Sequence, residues 1–255
     1  MAAAADIVVR NRHPFQIIGL RNPPIVPCTR PADPRDEIES PRTLSLLGEV
    51  LAGTAPDVVA ILDFPGWPAR VVDACHQAGS KVFVYLQNMW PFYTRLSLMD
   101  RWGGICRDYE GGRRCVACME NVVSSEAAKW RARLPAALWK SSRIHGAIKR
   151  VYQAGLAWPR SKQAPECEPG YGLRRHAYAA AISKADCVCF ISRRTRELAE
   201  QFGANCGRTL IAPVRLTHIH RVHTACAAHG PLRRSAGDPI RFVISVRTLP
   251  KRASS

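Results

Sequence analysis

One stretch, residues 56–86, limits what this chain can fold into more than any other. Two unbroken apolar runs, Val58-Val59-Ala60-Ile61-Leu62 and Val82-Phe83-Val84-Tyr85-Leu86, bracket a helical segment at 70–78 that stops at Gly79. An apolar run without alternation suits a strand buried on both faces, and such strands belong to parallel sheets covered by helices. Gly79 supplies the left-handed residue that ends a helix. Strand, helix and strand within about 30 residues is the length of a βαβ unit. A right-handed crossover then sets the two strands in one sheet. The expected class is α/β, a Rossmann-like parallel sheet with flanking helices. Ligands of such sheets bind beyond the carboxyl ends of the strands. That singles out Asp63-Phe64-Pro65-Gly66 and Gln87-Asn88-Met89-Trp90.

The rest of the chain extends this pattern without an internal repeat. A short apolar run at 17–20 reads as a strand, and the proline-rich stretch 22–35 as a loop. Leu44, Leu47, Val50 and Leu51 give 41–52 one apolar helical face. Segment 126–152 reads as a helix interrupted near Pro135, 155–171 as a loop with three prolines, and 174–184 as a helix. A strand follows at 187–191. Ser192 is placed to cap a helix running to Phe202, with Gly203 ending it. A short strand is expected at 209–212. Residues 218–239 are polar and basic and read as a linker, and a further strand begins near Arg241.

Composition adds boundaries. The chain has 255 residues, 47% of them hydrophobic, which excludes wholesale disorder. No apolar run reaches the roughly 20 residues that cross a bilayer. Met1-Ala2-Ala3-Ala4-Ala5 is short and is followed by Asp6, so it does not read as an export signal. A cytoplasmic protein is expected, with peripheral attachment to the inner face of a membrane as a variant. The net charge of +17 points to a polyanion: nucleic acid, an anionic membrane surface or phosphorylated substrates. Of ten cysteines, only Cys106, Cys115 and Cys118 cluster in sequence.

The segment 86–118, LQNMWPFYTRLSLMDRWGGICRDYEGGRRCVAC, resembles the acceptor-side domain of family 4 glycosyltransferases. There a strand ends in a His-Asp/Asn-x-Trp motif followed by a cysteine-rich excursion. The segment 185–213, ADCVCFISRRTRELAEQFGANCGRTLIAP, resembles the same family: a strand, Ser-Arg at its end, a helix ending in Gly and a short strand ending in Pro. PDVVAILD at 56–63 matches the family's Pro-Asp-Val strand. The resemblance covers about residues 41–215. It implies one half of a GT-B fold: residues 1–217 as the acceptor-side domain with a cysteine-rich insertion at 93–120, residues 218–239 as linker, and 240–255 as an aborted start of the donor domain. The departures are specific. Gln87 stands at the family's histidine, Tyr93 at a cysteine, and the Glu-x7-Glu motif that contacts the donor sugar nucleotide is absent.

The resemblance makes Gln87, Asn88, Trp90, Asp63 and Gly66 lining of the acceptor cleft. Asn88 would bond a sugar hydroxyl and Trp90 would offer an apolar face. The plainer reading makes Trp90 core and Asn88 a turn residue. An amide does not titrate near neutral pH, so Gln87 is no general base, and no catalytic residue is assigned. Ser192, Arg193 and Arg194 open a helix, where backbone N–H groups favour phosphate. The plainer reading is a helix cap with solvated arginines. Three thiolates with one histidine, His145 or His76, would make a structural zinc site of Cys106, Cys115 and Cys118. The alternative is reduced thiols or a labile pair. Arg107, Arg113 and Arg114 nearby are expected to lower the thiol pKa values. The basic face of 126–152 suits an anionic membrane surface or is an ordinary surface helix.

The function implied by resemblance is transfer of a sugar from a nucleotide-sugar donor to a glycan or lipid-linked acceptor. No cofactor is required, and the nucleotide sugar enters only with a donor domain, so this chain is expected to be incomplete and inactive alone. The alternatives are a basic module binding phosphate or nucleic acid, or a degenerate fragment without activity. Nucleic acid is disfavoured, because aromatics make up only 7% of the chain and no nucleic-acid motif is present.

Overall fold

A computed structural model of the chain describes residues 6–10, 16–21, 23–95, 98–106, 110–120, 122–133, 167–213 and 242–245. Strands β1 (Asp6–Arg10) and β2 (Ile17–Arg21) pair as an antiparallel ribbon apart from the main sheet. A 3-10 turn, Pro34–Glu37, leads into α1 (Pro41–Thr54). Then come β3 (Val58–Leu62), α2 (Val71–Gln77) and β4 (Lys81–Leu86), the βαβ unit expected from the apolar runs. Gly79 ends the crossover helix at φ 83. The excursion after β4 holds α3 (Arg113–Met119), and α4 (Ser125–Arg133) follows it. The remainder of the expected helix 126–152 lies outside the described residues. Helix α5 (Cys167–Lys184) precedes β5 (Cys187–Phe190), α6 (Arg193–Gln201) and β6 (Thr209–Ile211), and β7 (Phe242–Ser245) is the last described strand.

The main sheet has five parallel strands in the order β6-β5-β4-β3-β7. The fold is therefore α/β and Rossmann-like. Val59 and Ile61 of β3, and Val82, Val84 and Leu86 of β4, enter one core with Val72 and Cys75 of α2, Tyr178 and Ile182 of α5, and Ala199 of α6. The alternate residues Ala60, Phe83 and Tyr85 are half-buried, so only one sheet face is sealed as the apolar runs suggested. Among the described residues no helix is long and apolar enough to cross a membrane.

Two elements differ from expectation. Helix α5 starts seven residues before the expected Arg174, inside a stretch read as loop. Pro169 and Gly170 caused that misreading, but Pro169 sits in the first turn, where a missing N–H costs no intrahelical bond. The strand near Arg241, expected to open a donor domain, instead pairs with β3 in register, Val58 opposite Phe242. The edge of β3 away from β4 offers an unfilled parallel ladder, and this strand fills it.

The cysteine-rich excursion packs on the start of α5. Gly112 stands at φ 120 between the two, and a Cβ added there would lie 2.1 Å from the Glu168 carbonyl oxygen. Arg30 N–H donates to the Val123 carbonyl at 2.9 Å and Ser125 N–H to the Arg30 carbonyl at 2.8 Å, tying the start of α4 to the loop before α1.

Candidate functional site at the carboxyl edge of the sheet

Asp63 follows the last residue of β3 and adopts a left-handed backbone, φ 72. Such a conformation costs a non-glycine residue roughly 1 kcal/mol, and aspartate tolerates it when its short side chain bonds locally. Its N–H continues the ladder to the Tyr85 carbonyl at 3.0 Å. Its carboxylate reaches across to the next loop. One oxygen accepts from Gln87 N–H at 3.1 Å and Asn88 N–H at 3.3 Å, and the other accepts from the Asn88 side-chain amide at 2.6 Å. The Asn88 amide oxygen in turn accepts from Trp90 N–H at 2.9 Å. Asp63, Gln87 and Asn88, picked from two separate segments, thus form one hydrogen-bonded unit.

Leu86 pairs with Phe190 across β4 and β5, so Asn88 and Ser192 each stand two residues past the same rung, on the same edge. Ser192 has an extended backbone and its hydroxyl accepts from Thr195 N–H at 3.1 Å, the geometry of a helix cap. Arg193 and Arg194 are exposed, and Arg194 pairs with Glu197 at 3.0 Å. Tyr85 donates from its phenol to the Ala212 carbonyl at 2.8 Å, drawing the exit of β6 towards β4. Burial, with Cys189 and Asp63 nearby, raises the Tyr85 pKa. Gly66 occupies a turn closed by Trp67 N–H to the Phe64 carbonyl at 2.8 Å. Its φ of 93 and the Pro27 ring 3.3 Å from any added Cβ call for glycine.

Trp90 does not line this edge. It is 1% exposed and packs edge-on to Tyr178 at 5.3 Å between ring centres. The reason is Arg174 of α5, also 1% exposed, whose guanidinium stacks 4.4 Å from the indole centre. Arg174 donates to the carbonyls of Trp90 at 2.9 Å and Pro91 at 3.1 Å, and pairs with buried Glu37. The Tyr178 hydroxyl reaches the Glu37 and Trp67 carbonyls at 3.0 and 2.7 Å. Arg175 donates to the Phe92 carbonyl at 3.1 Å and covers the rings of Tyr93 and Phe202. These residues fix the loop after β4 from beneath, so Asn88 sits on a rigid support. The consecutive arginines gave no sign of it, since a basic pair on a helix usually faces solvent.

Cys106, Cys115 and Cys118 are all buried and line one small cavity of about 20 Å³ with Tyr93, Asp100 and Arg114. Among the described residues no group of three His, Cys, Asp or Glu is placed to hold a metal ion. His76, one proposed fourth ligand, bonds Asp186 at 2.9 Å instead, and His145 lies outside the described residues. The expected lowering of thiol pKa is reversed. Burial dominates and raises Cys106, and pushes Cys115 up to about 11. Arg114, although paired with Asp100 at 3.2 Å, still lowers Cys106, but burial outweighs it; Arg113 is turned to Glu110 at 2.5 Å. Arg107 lies outside the described residues. A separate open depression of about 580 Å³ lies between α1 and α2, lined by Leu44, Leu51, Asp73 and His76, and none of the edge residues touches it.

Sheet, crossover and polar carboxyl edge together define an α/β domain of Rossmann-like class. No protein-family model, no curated protein and no solved structure matches the chain.

Proposed function

We propose that this chain is the acceptor-side domain of a GT-B-type, family 4 glycosyltransferase, whose carboxyl edge receives a glycan or lipid-linked acceptor. The observation that carries the reading is the unit of Asp63, Gln87 and Asn88, set on the same edge as Ser192. Asn88 spends one amide proton on Asp63 and one lone pair on Trp90, leaving one donor and one acceptor site. Gln87 is exposed beside it and offers a full amide. Two adjacent amides on a rigid loop suit sugar hydroxyls, which both give and accept hydrogen bonds. The N-terminus of α6, with Arg193 exposed, favours a phosphate of donor or acceptor. No side chain at the edge is assigned as a general base. Stabilising the departing diphosphate requires groups from a donor domain, so the protein alone is expected to bind acceptor without transferring sugar.

The test is saturation-transfer NMR of the protein against short oligosaccharides and lipid-linked saccharides. Binding that Gln87→Ala weakens at least about tenfold supports the reading, because two lost amide bonds are worth about 1.4 kcal/mol or more. Failure of every saccharide, together with tight and steeply salt-dependent binding of DNA, would move the function to a phosphate-binding module.

A further inference from the structure

The excursion after β4 carries a second feature that the acceptor reading does not use. Met99 and Ile105 face each other in an antiparallel bridge, with Cys106 N–H donating to the Leu98 carbonyl at 2.7 Å and Asp100 N–H to the Gly104 carbonyl at 2.8 Å. That pattern is the non-hydrogen-bonded pair, in which the two side chains stand closest and on one face. Trp102 forms the tip of the turn. All three are exposed, Met99 at 54%, Trp102 at 61% and Ile105 at 65%.

The tip is preorganised. Asp100, its side chain only 6% exposed, accepts from Trp102 N–H and Gly104 N–H at 2.9 Å each and pairs with Arg114 at 3.2 Å. Gly103 takes the left-handed conformation the turn needs, φ 84. Arg101 anchors to the Ala117 carbonyl at 2.8 Å and to Glu120 at 2.6 Å, with its guanidinium 4.9 Å from the Trp102 ring centre. Five polar anchors thus hold three large apolar side chains in water, a cost that folding alone does not explain.

We propose that the tip formed by Met99, Trp102 and Ile105 inserts into the headgroup layer of an anionic lipid bilayer. The exposed side chains sit on one short turn, residues 99–105, rather than along a helix or sheet face, which suits a fluid interface. Tryptophan is the side chain that settles at headgroup level. Charge decides the lipid: the protein carries +17, and Arg95, exposed next to the tip, has no acidic partner among the described residues. Basic side chains near the surface each add attraction to anionic lipid. This footing differs from helix 126–152, most of which lies outside the described residues, and it stands whether or not the acceptor reading holds.

The experiment is co-sedimentation of the full chain with phosphatidylcholine vesicles containing about one-third phosphatidylglycerol, a strongly anionic surface. The protein is expected to bind these, and pure phosphatidylcholine far more weakly. The combined variant Met99→Ser, Trp102→Ser, Ile105→Ser is expected to lose at least about tenfold in binding with its circular dichroism unchanged. Should that variant fail to fold, Trp102→Phe replaces it. Brominated lipid then quenches part of the wild-type fluorescence, and that part disappears in Trp102→Phe while binding persists. Undiminished binding by the combined variant, absence of quenching, or no binding to any vesicle would overturn the proposal. So would wild-type self-association in sedimentation velocity that the combined variant loses, which would assign the tip to a second copy of the chain.

Discussion

The guanidinium of Arg174 lies 4.4 Å from the centre of the Trp90 indole, with both residues 1% exposed and Glu37 beside them. A buried cation is tolerable because every direction around it is answered: a carboxylate, two carbonyls and two aromatic faces, the second being Tyr178 at 4.8 Å. Removing one partner of a buried ion pair leaves the other uncompensated, at about 3–5 kcal/mol. Arg174→Ala and Glu37→Ala are each expected to lose that much in urea unfolding. The double variant should cost less than their sum. Additive losses would show that the two do not act as a pair.

Gly112 is expected to reject alanine. A Cβ there meets the Glu168 carbonyl oxygen at 2.1 Å, and φ 120 is a region that side chains avoid. Backbone strain and the forced separation of the excursion from α5 should cost roughly 2–4 kcal/mol. Gly79→Ala, also at positive φ but with open space around it, is the comparison. It should lose about 1 kcal/mol, and thermal unfolding midpoints of the two variants would separate strain from clash.

Acid stability should report on Asp186 at the opposite, amino edge of the sheet. Its carboxylate accepts first from Val82 N–H at 2.8 Å, then from His76 and Lys81, and these hold its pKa well below the usual carboxylate value. The folded value is lower than the unfolded one, near 3.9. The stabilisation is therefore complete above about pH 4 and fades as pH falls below it. The gap in unfolding midpoint between wild type and Asp186→Asn should narrow steadily as pH falls from about 4 towards about 2. A gap that persists in acid would contradict the assignment.

Thiol labelling should separate the cysteines by burial. Cys28 is exposed, whereas burial pushes Cys75 up to about 12 and Cys115 to about 11. With iodoacetamide at pH 8, peptide mapping should find Cys28 alkylated well before Cys75, Cys106 or Cys115. In denaturant the difference should vanish. Fast labelling of Cys115 in the native protein would mean that the excursion opens readily.

The central strands, the crossover helix, the Ser192 cap and the edge position of Asp63 and Asn88 were all legible from local pattern, because apolar runs, glycine stops and capping serines act over a few residues. What was not legible depends on distant segments. Trp90 looks like a cleft residue until Arg174, far along the chain, is seen to cover it. The arginines around the cysteines look activating until the burial of Cys106 and Cys115, set by packing with distant segments, is found to outweigh them. Likewise, nothing in an apolar run near Arg241 says which strand edge it will join.

That last pairing has a consequence for the order of assembly. β3 lies next to β4 within one local unit, yet among the described residues its other edge is covered by β7, which follows far later in the chain. Closing so long a loop is slow relative to forming the crossover. During synthesis the β3 edge would stand open, with unpaired backbone groups able to capture a neighbouring nascent chain. Yield from cells should therefore depend on how quickly β7 emerges and docks, and growth at low temperature or extra chaperone should raise it.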